Sequence, residues 1–282
     1  MLKQRVITAI VLAAVFLGVL FFLPIPLFPA FVATIVLISA WEWANLCGFT
    51  ALWQRGLYVI FQAAAIAGAA LYVGALPLGG ATPIDAELHY RPILIAGCTW
   101  WALALLWVQG YPASALLWRH PALRAVMGFF VLVPTWAGLS YVRLQEQGAW
   151  LVLMIVAVVA TADIGGYFVG RRFGQRKLAP NVSPGKTWEG FLGGVSANVC
   201  LALLVWFFTG QALWAIIALV LPTSLVSVLG DLLESMVKRE RGIKDSSALL
   251  PGHGGVLDRV DSLTAAVPVF ALALTAVDVT LG

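Results

Sequence analysis

Apolar residues fill this chain in runs of about 20, with short polar segments between the runs. A run of this length spans the hydrocarbon core of a bilayer as one helix. The strict alternation that a transmembrane strand requires is missing. We therefore predict an all-α, polytopic integral membrane protein with about nine transmembrane helices, at residues 5–23, 27–47, 57–76, 92–109, 122–143, 149–170, 188–209, 211–234 and 262–281.

Composition supports a membrane protein without a soluble domain. The chain is 61% hydrophobic and only 11% charged, whereas soluble proteins carry about 25% charged residues. We interpret residues 1–282 as a single membrane domain, in which residues 1–145 hold little chemistry beyond Glu42 and residues 146–282 form the catalytic half. The first apolar run follows basic residues as in a signal peptide, but no small-residue cleavage site follows it, so we predict an uncleaved first span.

The positions of lysine and arginine predict the orientation. If the N-terminus is cytoplasmic, fifteen of the seventeen basic residues fall in cytoplasmic segments, and only Arg91 and Arg143 fall outside. Cytoplasmic loops of membrane proteins carry such an excess. The two loops that are densest in charge, 171–187 and 235–261, are therefore predicted to be cytoplasmic.

Acidic residues cluster at the predicted cytoplasmic ends of the last spans. Asp231 and Glu234 lie three residues apart, as do Asp258 and Asp261, and this spacing places each pair on one helical face. Asp163 lies within the sixth span, where an unpartnered carboxylate costs at least about 2.5 kcal/mol. Pairing with arginines at helix ends is the alternative interpretation, and we favour it for Glu42. Carboxylate oxygens in the near absence of histidine or cysteine suit Mg²⁺.

The loop before the seventh span has the features of a phosphate site. Ser183 begins a Pro-Gly turn, and Lys186 and Thr187 then stand near a predicted helix N-terminus, where free backbone N–H groups favour an anion. The loop is not a Walker A motif, because Pro180 occupies the position of the required glycine. A plain basic loop on the cytoplasmic side is the alternative.

The segment 235–261 holds nine of the thirty formal charges of the chain. Its basic residues alone would fit a patch that binds anionic lipid headgroups. Such a patch does not explain the glycine-rich turn at 251–255, which lets backbone approach a ligand closely, or the acids among the bases. We therefore predict an anionic ligand and a metal ion at the membrane surface.

This segment resembles the pattern of the phosphatidate cytidylyltransferase (CDP-diacylglycerol synthase) family, through Ser235, Lys238, Arg239, Lys244, Asp245, Pro251, His253, Gly254, Gly255, Asp258, Arg259 and Asp261. Two more segments, DIGGYFVGRRFG at 163–174 and SPGKTWEG at 183–190, are similar to that family. Ile164 departs from it, since a small polar residue is expected there.

The resemblance implies an enzyme of phospholipid biosynthesis, a nucleotidyltransferase that transfers CMP from CTP to phosphatidate and yields CDP-diacylglycerol and pyrophosphate. It implies Mg²⁺, allows a second cation such as K⁺, and implies a multi-pass protein of the inner (plasma) membrane. The expected partners are CTP, phosphatidate and membrane lipids. Nucleic acid is not an expected partner, and a homodimer is compatible with the sequence.

The resemblance and the charge pattern together suggest site residues in three groups. The candidate catalytic residues are Lys186, Asp231, Lys244, Asp245, His253, Asp258 and Arg259. The candidate phosphate-binding residues are Ser183, Lys186, Thr187, Lys238, Arg239, Lys244 and Arg259. The candidate metal ligands are Asp231 and Asp258, with Asp163, Glu234 and Asp261 as additional or outer ligands.

Two other functions stay open at this point. Asp163 and Asp231 could form the ion relay of a coupled transporter, although a relay threads the membrane and the acids here gather on one side. A related enzyme could use another acceptor, as a polyprenol or phytol kinase or an ether-lipid CTP transferase does.

Overall fold

The computed structural model describes residues 2–75, 86–250, 252 and 254–277. This part of the chain is a helical bundle with one small β-hairpin. Its helices are α1 (Leu2–Phe22), α2 (Phe28–Cys47), α3 (Leu52–Tyr72), α4 (Ala86–Gln109), α5 (Ala115–Trp118), α6 (Pro121–Leu144), α7 (Gly148–Phe173), α8 (Trp188–Thr209), α9 (Leu213–Arg241) and α10 (Leu257–Leu274). Its strands are β1 (Lys177–Ala179) and β2 (Ser183–Thr187), which pair antiparallel.

The all-α polytopic class is confirmed, and each predicted span overlaps a long helix. Seven helices in the described ranges are long and apolar enough to cross a membrane: α2 to α4 and α6 to α9. The other two predicted spans fall on α1, whose described apolar part is Ile7–Phe22, and on α10, which begins with charged residues. The exact number of nine is therefore not confirmed.

The β-hairpin is a feature that the sequence did not predict, since residues 177–187 were interpreted as a loop. The strands are only three and five residues long, and β2 contains a proline and a glycine, which are depleted in strands. The hairpin nevertheless fixes the position of Lys186, because Thr187 pairs with Lys177 at the base of the hairpin.

Helix α6 lies at the centre of the bundle, where it packs against α2, α3, α4, α7 and α10. Interhelical hydrogen bonds fix it, and two of them lie near its middle. The indole N–H of Trp136 donates to the carbonyl oxygen of Pro29 at 2.9 Å, and the Thr135 hydroxyl donates to the carbonyl oxygen of Thr264 at 3.2 Å. Because lipid tails are as apolar as leucine, close packing and such hydrogen bonds hold membrane helices together.

Glycines bring the helices of the C-terminal half into close contact. A Cβ atom at Gly190 of α8 would lie 2.8 Å from the carbonyl oxygen of Gly166 in α7. A Cβ atom at Gly230 of α9 would overlap the backbone of Asp261 and Ser262 in α10. Small residues permit this approach between membrane helices. The second contact also places Asp231, the neighbour of Gly230 in α9, close to Asp261 in α10.

The loops predicted to be cytoplasmic meet at one end of the bundle. The Asn45 side chain, in the last turn of α2, donates to the carbonyl oxygen of Ser246, after α9, at 3.0 Å. The Asn181 side chain in the hairpin donates to the carbonyl oxygen of Tyr111, after α4, at 3.3 Å. The positive loops therefore share one end. That this end faces the cytoplasm stays a prediction.

Candidate active site

A cavity of about 350 Å³ lies between α7, α8, α9 and strand β2. Ligand sites in proteins commonly have volumes of about 300–1,000 Å³. Three charged side chains line the cavity: Asp163 and Arg171 from α7, and Lys186 from β2. The close approach of α7 and α8 at their glycines forms one wall, which is mostly backbone, so a ligand there can contact peptide groups directly.

Lys186 and Asp231 form an ion pair at the edge of this cavity. The Lys186 Nζ lies 2.6 Å from Asp231 Oδ2, and the two side chains are 25% and 31% exposed. The Ser235 hydroxyl donates to the other oxygen, Oδ1, at 3.0 Å. Both charges are thus accessible to a ligand, and the structure brings together two residues that the sequence placed on separate segments.

The start of α8 agrees with the predicted helix N-terminus. Thr187 is its N-cap, and the Thr187 Oγ1 accepts a hydrogen bond from the Gly190 N–H at 3.1 Å. Thr187 is buried, so its hydroxyl stabilises the helix. The Glu189 carboxylate accepts hydrogen bonds from the Gln175 and Arg176 N–H groups at 2.9 and 3.2 Å and so ties the first turn of α8 to the segment between α7 and the hairpin. The phosphate role of Ser183 and Thr187 stays a prediction.

Lys238 joins two carboxylates rather than facing an open phosphate site. Its Nζ lies 2.8 Å from Glu234 Oε2 in α9 and 2.7 Å from Asp258 Oδ1 in α10. The Lys238 and Asp258 side chains are 12% and 8% exposed. A buried charge needs such partners, because desolvation without them is expensive. In this structure Lys238 therefore holds α9 and α10 together, and its role in binding a phosphate stays a prediction.

Asp258 organises the loop between α9 and α10. Its Oδ2 accepts hydrogen bonds from the Gly255 N–H at 2.7 Å, the Ser246 hydroxyl at 2.9 Å and the Ser246 N–H at 3.0 Å. Burial raises the pKa of Asp258, but hydrogen bonds from Lys238 and from these backbone amides outweigh it and hold the pKa below its usual value. Asp258 is thus ionised at neutral pH. Its role as a direct metal ligand stays a prediction.

Glu42 has other partners than the sequence predicted. It was expected to pair with an arginine, but its buried carboxylate accepts hydrogen bonds from the Ser247 hydroxyl and the Leu257 N–H, both at 2.6 Å, and from the Val256 N–H at 3.0 Å. A carboxylate at a helix N-terminus is stabilised by the helix dipole. Glu42 therefore ties α2 to the loop that Asp258 holds.

Acidic groups outnumber lysines in this cluster. Five carboxylates (Asp163, Asp231, Glu234, Asp258 and Asp261) accompany three basic side chains (Arg171, Lys186 and Lys238), so acidic groups are in excess. Burial, and next the charge of Asp231, raise the pKa of Asp261 to about 7. The buried Glu234 Oε1 receives no hydrogen bond from an N–H group or a hydroxyl in the described residues, and the Glu234 carboxyl group lies beside that of Asp261. These features fit a cation.

The described residues do not form a complete metal-binding set of three or more acidic, histidine or cysteine side chains. A cation at the cluster therefore needs oxygens from another source, and substrate phosphates are the usual one for Mg²⁺.

The other predicted site residues are less enclosed. Lys244 and Asp245 are exposed in the loop after α9, and Arg259 is exposed on the first turn of α10. The exposed Arg239 donates from Nε to the carbonyl oxygen of Val182 at 3.3 Å, which holds the hairpin. His253 lies outside the described residues.

Tyr167 and Arg171 are cavity residues that were not selected from the sequence. Arg171 Nη1 donates to the Tyr167 hydroxyl at 2.8 Å, and both line the cavity with Asp163. Helical spacing could have identified them, because residues four and eight positions after Asp163 lie on the same face of α7 as Asp163.

Comparison with known proteins identifies the family. The family model described as "Cytidylyltransferase family" matches residues 3–277. A phosphatidate cytidylyltransferase of Pseudomonas aeruginosa is 45% identical over 98% of this chain and 98% of its own length. Proteins of the same name from Haemophilus influenzae and Brucella suis are 42% and 38% identical, over 96% and 94% of this chain and 98% and 90% of their own lengths. The chain belongs to the cytidylyltransferase family.

Proposed function

We propose that this protein is a phosphatidate cytidylyltransferase, which transfers CMP from CTP to phosphatidate and releases pyrophosphate. The observation that carries the proposal is the accessible Lys186–Asp231 pair beside a buried, net-negative cluster, at the end of the bundle where the basic loops meet. The name shared by the full-length relatives supports it. The charges gather at one end, which favours a transferase over a transporter.

The reaction requires charge compensation and positioning more than an activated side chain. An anionic phosphate oxygen of phosphatidate attacks the α-phosphorus of CTP and forms a new P–O bond. The bond between the α-phosphorus and the bridging oxygen breaks, and that oxygen leaves with pyrophosphate. Catalysis of such a transfer comes mainly from holding the reactants in line and stabilising their charge.

The residues of the site supply these two effects. Lys186, once it exchanges Asp231 for a phosphate, contributes positive charge beside the N-terminus of α8. We propose that Asp231, with Glu234 or Asp261 and with substrate phosphates, would hold Mg²⁺. Bound there, Mg²⁺ would supply positive charge at the phosphate oxygens. Lys238 and Asp258 keep α9 and α10 at a fixed distance. The second cation, the homodimer and the inner-membrane location stay predictions.

The direct test uses the purified full chain in detergent micelles. With CTP, Mg²⁺ and phosphatidate we expect pyrophosphate release and an equal amount of CDP-diacylglycerol, and we expect EDTA to abolish both. Diacylglycerol, phytol or a polyprenol in place of phosphatidate should give no product, because these acceptors lack the attacking phosphate. Phosphorylation of one of these alcohols, or no CTP turnover by protein that is folded and monodisperse, would refute the proposal.

Glu42→Gln should lower turnover by about tenfold, because an amide nitrogen would replace an acceptor oxygen and leave at least one buried N–H unsatisfied, at about 1–3 kcal/mol. The expected effect is on kcat, with the KM for CTP nearly unchanged, since Glu42 contacts the loop and not the cavity. Glu146→Gln, at an exposed position after α6, is the matched control. Equal kcat in both variants would show that the loop keeps its position without this carboxylate.

A further inference from the structure

We propose that an apolar groove beside the polar cavity binds an acyl chain of the lipid substrate. This inference rests on the proposed function and specifies where the lipid lies. The groove has a volume of about 460 Å³ and lies between the end of α4 and the start of α8, with α9 as its floor and the hairpin as its roof.

The floor of the groove is one apolar face of α9. Leu225, Leu229 and Leu232 follow the spacing of four and three residues that places side chains on one face of a helix. Leu105 and Val108 of α4 form one side, and residues 178–182 of the hairpin form the roof. No charged side chain lines the groove among the described residues, so it suits a hydrocarbon.

The groove and the polar cavity are adjacent and share a wall. Leu178, Phe191 and Val228 line both spaces. A ligand that occupies both would have an anionic part near Lys186 and an apolar part on α9. Phosphatidate has this division between its phosphate headgroup and its acyl chains, whereas CTP has no apolar part to fill the groove.

The position of the groove favours a lipid over a protein partner. Leu105 on one side and Leu225 on the floor are 43% and 47% exposed, so the groove is open along the surface of candidate membrane spans. Trp188 at its edge is 49% exposed, and tryptophan is enriched where a membrane meets water. The groove therefore lies at the depth where a chain enters the bilayer from a headgroup.

The substitution Leu225→Trp tests the inference, because the larger side chain would narrow the groove. Leu225 lines the groove but not the polar cavity, and its exposure leaves room for a larger side chain. Displacing roughly two methylene groups of the bound chain should raise the KM for dioleoyl phosphatidate in mixed micelles about tenfold. The KM for CTP should stay within about twofold, because the headgroup site is intact. Leu204→Trp on α8, at a position 55% exposed and outside both spaces, is the matched control.

A second measurement does not depend on the variant folding. Phosphatidate with a diazirine in one acyl chain, irradiated with the wild-type protein, should label peptides of α4 and α9 that contain Leu105 or Leu229. If labelling occurs only elsewhere, or if the two tryptophan variants have the same KM for phosphatidate, the groove is not the acyl site. If Leu225→Trp instead changes the molecular mass of the detergent-solubilised particle, the groove is a contact between copies and the inference is overturned. Wild-type turnover decides the proposed function separately, since it is measured without either variant.

Discussion

Asp258→Asn is expected to reduce phosphatidate-dependent CTP turnover by about 10³-fold, which corresponds to about 4 kcal/mol of lost transition-state stabilisation. The substitution removes the negative charge that lies 2.7 Å from Lys238 Nζ. The Ser246 and Gly255 N–H groups both donate to this carboxylate. If the asparagine amide nitrogen takes the place of their acceptor oxygen, these N–H groups lose their hydrogen bonds. Breaking a buried ion pair typically costs 3–5 kcal/mol, so the first turn of α10 and the loop before it should lose their fixed position.

The protein should still fold, since the bundle around α6 does not depend on this loop. The measurement is pyrophosphate release in detergent, together with the Mg²⁺ concentration that gives half-maximal activity. We expect that concentration to be unchanged, because Asp258 already has protein donors on both oxygens. Glu240→Gln near the end of α9 is the control. A large rise in the Mg²⁺ requirement would instead make Asp258 a metal ligand, and near-normal turnover would remove it from the site altogether.

The sequence predicted the helices well because the bilayer imposes a simple requirement. A helix must present about 20 apolar residues to span the hydrocarbon core, and this is readable without tertiary information. The same rule does not say which face of a helix meets lipid. Cys200, for example, stands in an apolar run and is exposed on α8, because lipid-facing and core-facing positions are equally apolar.

The candidate site was predictable wherever its residues share one helix. The spacing of Asp231, Glu234 and Lys238 places them on one face, and the structure shows the Lys238–Glu234 pair at 2.8 Å. Spacing does not reveal which partners cross between helices. Lys238 could equally have faced a phosphate, and its contact with Asp258 depends on the close packing of α9 and α10 at Gly230.

The role of Glu42 could not be predicted because its partners lie more than 200 residues away in the chain. A carboxylate at the end of an apolar helix requires donors, but one chain without related sequences does not show which ones. The available signals favoured an arginine, since arginines outnumber other charged donors near the helix ends. In the structure, backbone N–H groups at the start of α10 bind Glu42 instead. Nearly every residue carries such a group, so the sequence does not show which ones bind the carboxylate.

Lys186→Ala tests whether the positive charge of Lys186 serves catalysis or the stability of the fold. We expect kcat/KM to fall by about 10²–10³-fold, by analogy with the loss of one preorganised donor at a developing anionic charge. Folding should change little, because Lys186 and Asp231 are 25% and 31% exposed and a partly exposed pair adds at most about 1 kcal/mol to stability. Lys186→Arg should recover only part of the activity, since a planar guanidinium cannot reproduce the compact charge of an ammonium group.

The control for Lys186→Ala is Lys177→Ala, which removes an exposed lysine from the other strand of the same hairpin. Both substitutions remove one positive charge from the hairpin, so the two variants should attract an anionic substrate from a distance equally well. We expect the control to retain activity within about threefold, since it places no charge in the cavity. If both variants lose activity equally, the hairpin acts through its general positive charge. If Lys186→Ala lowers kcat/KM by less than about threefold, which is the change allowed for the control, Lys186 is not part of the catalytic site.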